Sequence, residues 1–165
     1  QFQTSYEEVA RRLREIVSDL RPPMLMYGLV PALRGLADNL MERSGDKATI
    51  KADIQSGEER LPENMERHLY RIAQEACENS LRHARAGNIV ISGRIASRKL
   101  DLTITDDGTG FEPQTELGSL IANRHFGLAG MVERAHLLGA EINIKSMPDH
   151  GTTIHISWVD NVEQS

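Results

Sequence analysis

Glu75, Asn79, Arg82 and His83 stand at i, i+4, i+7 and i+8 of one stretch. At about 100° per residue, that spacing collects them in one polar stripe of a helix. A carboxylate and an amide oxygen are hard donors suited to Mg2+, and a guanidinium and an imidazole one turn on can reach phosphate oxygens that the same ion bridges. The plainer alternative is a solvated helix face, with Glu75–Asn79 and Glu78–Arg82 contacts each contributing about 0.2–0.5 kcal/mol. A second set is Asp106-Asp107-Gly108-Thr109-Gly110-Phe111, placed where an alternating strand ends. Gly108 and Gly110 let the backbone approach a planar ring, and a strand-end carboxylate can accept a hydrogen bond from an exocyclic amine. Alternation turns Asp106 and Asp107 to opposite sides if the strand persists, so one of them serves a shared site; a plain Asp-Gly turn is the alternative. Phe126-Gly127-Leu128-Ala129-Gly130-Met131 opens a helix, whose free N–H groups attract phosphate. Gly151-Thr152-Thr153-Ile154 begins a last strand, where a hydroxyl can join the ring site directly or through water.

The elements that must position these groups follow from periodicity. Tyr6, Val9, Leu13, Ile16 and Leu20 form a narrow helical seam about two heptads long, which suits either a dimerisation stalk or a helix packed on its own domain. Pro22 and Pro23 end it and predict a joint there. Leu29, Leu33, Leu36 and Leu40 mark a second helix, stopped by Ser44-Gly45-Asp46. Lys47 to Gln55 alternates as a strand, and Pro62 opens a long helix that runs to Ala84 before Gly87. Strands at Ile89–Ile95 and Leu100–Ile104 are joined as a hairpin through Ser97-Arg98-Lys99. Glu112 to Arg124 is polar, irregular and long for a connection, as functional loops are. Helix Leu128–Leu138, closed by Gly139, precedes strands Glu141–Ser146 and Thr152–Val159. Hairpin-linked strands interrupted by helices predict an α+β fold, a two-layer sandwich with a mostly antiparallel sheet and helices on one face.

Composition narrows the choices. At 165 residues the chain fits one domain with a short appendage. Acidic side chains outnumber basic ones, 24 to 19, and no Lys/Arg cluster with aromatics appears, which argues against nucleic-acid binding. No apolar run approaches the roughly 18 residues of a membrane span, so no membrane contact is expected of this stretch. The single cysteine, Cys77, sits in an apolar helical pattern and reads as a buried thiol rather than a nucleophile or ligand. A lone thiol without a signal peptide suits a reducing, cytoplasmic compartment, whether or not the parent protein begins in a membrane.

Each motif is weak alone, but their order is specific: Glu-x-x-x-Asn on a long helix, Asp-x-Gly-x-Gly after a strand, a lid-length loop, Gly-Leu-x-Gly-Met opening a helix, and Gly-Thr before a final strand. The series resembles the ATPase domain shared by gyrase, Hsp90, histidine kinases and MutL, the Bergerat fold with its mixed, mostly antiparallel sheet. Tyr70-Arg71-Ile72-Ala73-Gln74-Glu75-Ala76, Asn79-Ser80-Leu81-Arg82-His83-Ala84 and Gly127-Leu128-Ala129-Gly130-Met131-Val132-Glu133-Arg134-Ala135 look like the histidine kinases that serve NarL/LuxR-type response regulators. The resemblance implies ATP and Mg2+ as ligands. Asn79 would bind the metal with help from Glu75, and Arg82 and His83 would contact phosphates. Asp106 would select adenine beside Gly108 and Gly110, Gly127, Leu128, Ala129 and Gly130 would border the triphosphate, and Thr152 or Thr153 would lie near the purine. It also implies that residues 1–21 end a dimerisation helix and linker, that 22–165 form the catalytic domain, and that the parent kinase is a homodimer.

Two departures stand out. His125 occupies the first glycine position of the usual Gly-x-Gly lid motif, so the expectation is either a lid that hinges differently or one that uses His125 near phosphate. The phosphoacceptor pattern, His followed by an acidic residue, is missing: His68, His83, His125, His136, His150 and His155 precede Leu, Ala, Phe, Leu, Gly and Ile. The acceptor helix is therefore expected upstream of Gln1. Two rival readings share the fold: an anti-sigma-factor-type serine-protein kinase, disfavoured by the seam at Tyr6–Leu20, and a non-catalytic nucleotide-binding scaffold, disfavoured by the intact Glu75, Asn79, Asp106 and glycine set.

Overall fold

The computed structural model describes residues 23–45, 47–57, 59–112 and 126–160. A short 3-10 turn, Pro23–Tyr27, leads into helix α1, Leu29–Arg43. Strand β1, Thr49–Ser56, is followed by helix α2, Glu63–Arg82, and strand β2, Asn88–Ala96. Strand β3 is Lys99–Asp106, helix α3 Phe126–Leu137, strand β4 Glu141–Ser146 and strand β5 Thr152–Val159. The seam at residues 5–20, most of the 112–124 loop and His125 lie outside the described residues.

The five strands form one sheet in the order β1-β2-β3-β5-β4. β1 and β2 run parallel, and every other neighbouring pair is antiparallel. A parallel pair needs a crossover, and α2 is that crossover, so the long helix is obliged to lie across the sheet. Alternation does the rest. Ile50 and Ile54 of β1, Ile89 and Ile91 of β2, Leu100, Leu102 and Ile104 of β3, and Ile154 and Ile156 of β5 all turn to one face and are buried. Leu33, Leu36 and Leu40 of α1 and Leu69, Ile72, Ala73 and Ala76 of α2 complete a single core with them. The mixed sheet with helices on one side is the architecture expected, and each fully buried Ile or Leu contributes about 1.5–3 kcal/mol of transfer free energy.

α2 departs from expectation at both ends. Pro62 precedes the helix in an extended conformation, with ψ 142°, instead of filling its first turn. At the other end His83 closes the helix, and Arg85, rather than Gly87, takes the left-handed conformation at φ 51°. The Ala86 N–H then bonds back to the Ser80 carbonyl at 3.1 Å, a seven-residue closure that satisfies an end carbonyl. As a result Asn79 to Arg82 form the last turn of α2 and His83 its cap.

A clasp anchors the other end of α2. Glu66 is buried, and its carboxylate accepts hydrogen bonds from the Leu29 N–H and from Arg60, whose guanidinium also donates to the Leu25 and Met26 carbonyls. That charge-assisted set ties the 3-10 turn and the start of α1 to the helix. Cys77, fully buried on α2, has its thiol pushed up to about 12 by burial first and by Asp106 and Glu78 next, which fits an inert core thiol.

Candidate functional site

The last turn of α2, the end of β3, the start of α3 and the start of β5 enclose a cavity of about 350 Å3. Glu75, Asn79, Arg82 and His83 line one side, and Asp106, Gly110 and Thr152 another. Gly127 and Leu128 of α3 close a third, and Ile104, Met131 and Ile154 supply apolar floor.

Asp106 owes its place to register. It follows Leu100, Leu102 and Ile104 on the buried face of β3, so alternation turns it toward the helices at the point where the strand ends. Its Oδ2 accepts a hydrogen bond from the Ser80 hydroxyl at 2.7 Å, and its Oδ1 accepts one from the Gly108 N–H at 2.8 Å. Asp107 faces away. Its Oδ1 accepts from the Gly87 and Asn88 N–H groups, both at 2.8 Å, and its Oδ2 accepts from the Asn88 side-chain amide at 2.7 Å. Those bonds, the Asn88 side chain first, hold the Asp107 carboxyl below the ordinary carboxylate range. One aspartate thus enters the cavity and its neighbour fastens the turn after α2 to the end of β3.

The same register separates the threonines. Thr152 pairs with Asp106 and shares its buried face, whereas Thr153 pairs with Thr105, their hydroxyls 3.3 Å apart on the open face of the sheet. Thr152 lines the cavity; Thr153 does not. Ser146 joins the two loops beside them, accepting from the Phe111 N–H at 2.9 Å and lying 3.0 Å from the Thr152 hydroxyl. Gly110 stands at φ 59° directly against the Met147 carbonyl, where neither a side chain nor its backbone angle would be tolerated. Gly108 contributes its N–H to Asp106.

On the opposite wall, a Cβ at Gly127 would run into the Glu75 carboxylate and press on the amide end of Asn79. The carboxylate and the amide therefore lie side by side against the first turn of α3. Arg82 is engaged at 2.9 Å with Glu78, the contact weighed above as the plainer alternative, while also bordering the cavity mouth. Ala129 is exposed, and Gly130 faces the Arg134 side chain one turn along α3; neither lines the cavity. By its helical spacing with Leu69, Ile72, Ala73 and Ala76, Ser80 reads as a small residue on an apolar stripe. Its one sequence signal was a hydroxyl in a core position immediately after Asn79. Ile104, Met131 and Ile154 were legible as core but not as cavity floor.

Among the described residues no cluster of three or more His, Cys, Asp or Glu is placed to hold a metal. Two oxygen donors beside open space instead suit a hard ion that keeps water and phosphate oxygens as its other ligands, which is the habit of Mg2+. No described helix is long and apolar enough to cross a membrane.

Comparison with known proteins gives concordant findings. The family described as histidine kinase-, DNA gyrase B-, and HSP90-like ATPase matches residues 64–162. The signal transduction histidine-protein kinase/phosphatase DegS of Brevibacillus brevis is 37% identical over 146 residues, covering 88% of this chain and 36% of that protein. The sensor protein VraS of Staphylococcus saprophyticus is 37% identical over 154 residues, 93% of this chain and 42% of that one. The chain thus spans less than half the length of these relatives. Among solved structures, the Acinetobacter baumannii histidine kinase AdeS superposes with a TM-score of 0.62 at 19% identity, covering 97% of this chain and 84% of that one. The histidine kinase domain of the Erythrobacter litoralis blue-light activated histidine kinase gives 0.62 at 22%, covering 81% and 61%. At those identities the structures speak for the fold.

Proposed function

The chain belongs to the histidine kinase-, DNA gyrase B-, and HSP90-like ATPase family, and from that premise we propose that it is the ATP-binding catalytic domain of a two-component sensor histidine kinase. Its reaction is transfer of the ATP γ-phosphoryl group to a histidine on a dimerisation helix, for relay to an aspartate of a NarL/LuxR-type response regulator. Residues 22–165 form this domain, residues 1–21 the end of the dimerisation helix and its linker, and the setting is cytoplasmic. The observation that carries the reading is the meeting of Glu75, Asn79, Asp106 and Thr152 in one cavity, although they come from three separate elements.

In this reading the chain mainly positions groups and neutralises charge. Asp106 accepts a hydrogen bond from the adenine amine, with Thr152 beside it and Ile104, Met131 and Ile154 against the ring. Asn79 and Glu75 would hold Mg2+, which would supply positive charge against that of the triphosphate. Arg82 and His83 at the mouth add donors to the triphosphate, and Gly127 brings the N–H groups of the first turn of α3 close to it. His125, which precedes α3, is assigned to the phosphate side of the lid on sequence order alone. Replacing Asn79 by Ala in the full-length kinase should remove Mg-ATP-dependent autophosphorylation while leaving the circular dichroism spectrum intact. Autophosphorylation at the unmutated rate would overturn the proposal.

A further inference from the structure

Ser80 is 4% exposed on α2, one residue beyond the metal-side Asn79, and turned toward the sheet. Its hydroxyl lies 2.7 Å from Asp106 Oδ2 and 3.0 Å from the Ala76 carbonyl. A hydroxyl has one hydrogen to give, and the carboxylate is both the nearer and the stronger acceptor, so the hydrogen goes to Asp106. The Gly108 N–H holds the other oxygen at 2.8 Å. The carboxylate is therefore gripped from two directions, by the helix through Ser80 and by the loop after β3 through Gly108. Lone pairs remain on both oxygens, and Asp106 lines the cavity with them.

We propose that Ser80 is a positioning and specificity residue: by donating to Asp106 it fixes that carboxylate as a hydrogen-bond acceptor facing the purine, and so sets the discrimination between 6-amino and 6-keto rings. The proposal deepens the nucleotide reading above and rests on it. A 6-amino purine presents a donor to the held carboxylate. A 6-keto purine presents an oxygen to an oxygen, and the carboxyl group cannot turn to relieve that contact without giving up the bonds to Ser80 and Gly108. With Ser80 gone, one oxygen is released and the constraint on orientation is halved. A merely structural Ser80, tying α2 to β3, would instead affect every nucleotide alike.

The test is calorimetric titration of the chain and its Ser80→Ala variant with Mg2+ complexes of ATP, ITP and purine riboside triphosphate, which lacks the 6-amino group. The Ser80 bond is present with and without nucleotide, so its removal acts through the lost aim of the carboxylate at the purine amine, and ATP affinity should fall by roughly tenfold. Purine riboside triphosphate should change by less than about twofold, and the ATP-to-ITP ratio should narrow by roughly tenfold. Ser80→Cys, nearly isosteric but a weak donor, should fold in the same way and narrow the ratio too. Equal losses for ATP and purine riboside triphosphate, or unchanged ratios in both variants, would overturn the role assigned to Ser80 while leaving the nucleotide site standing. Failure of the unmutated chain to bind any of the three would overturn the nucleotide reading itself and Ser80's role with it.

Discussion

At the sheet end of the cavity Asp106 is 7% exposed with both carboxylate oxygens bonded, whereas at the helix end Arg82 is 64% exposed and spends its guanidinium on Glu78. The sheet end is finished before any ligand arrives. Ser80, Gly108, Ser146 and Thr152 tie α2, β3 and the loop after it, β4 and β5 together, and no buried side-chain polar atom among the described residues lacks a partner. The helix end keeps its charged groups in water, where they can turn from a protein partner to a phosphate. On the proposed nucleotide reading, the contrast teaches that selectivity and charge neutralisation would be built by different physics. Buried donors and acceptors discriminate because an unmatched group is costly there. Exposed cations neutralise cheaply but discriminate little.

Breaking the rigid end should have the larger effect. Asp106→Asn places an amide nitrogen against either the Ser80 hydroxyl or the Gly108 N–H, and ATP affinity should fall by roughly tenfold to a hundredfold with ATP-to-ITP selectivity narrowing, as titration calorimetry would read. An unaltered ratio would mean that Asp106 is not the adenine acceptor. Arg82→Ala at the mouth should weaken ATP by only about two- to fivefold at low salt, and the deficit should shrink as ionic strength rises. A loss as large as that of Asp106→Asn would erase the contrast.

The smallest effect concerns Asp107, which serves the frame. Because its folded carboxyl is held below the ordinary value of about 3.9, its bonds to Asn88 and Gly87 stabilise the protein above that pH. That contribution is lost as pH falls through the folded-state value. Asp107→Asn should therefore lower the melting temperature slightly at pH 6–7, and the gap to the unmutated chain should close progressively below about pH 4. Nucleotide selectivity should be unaffected, which separates the two adjacent aspartates by function.

Much of this was legible in the residues. β4 and β5 were bounded correctly because strict alternation is broken by Pro148-Asp149-His150-Gly151, a turn with few alternatives. The stripe on α2 was legible because helical spacing alone puts Glu75, Asn79 and His83 on one side. The end of α2 was not, since a left-handed arginine leaves no mark in sequence and Gly87 two residues later drew the boundary. The choice between Thr152 and Thr153 needed the β3–β5 register, which depends on residues far apart in the chain. Ser80 was hidden by its size, because a small residue on an apolar stripe reads as packing until its hydroxyl is seen to meet a carboxylate.

The measurement that bears most directly on the shared cavity is calorimetry of the unmutated chain with ATP, with and without Mg2+, repeated on Asn79→Ala. Saturable, magnesium-dependent ATP binding that disappears in Asn79→Ala is the predicted result. Absence of heat, or binding indifferent to both the ion and the substitution, would contradict it.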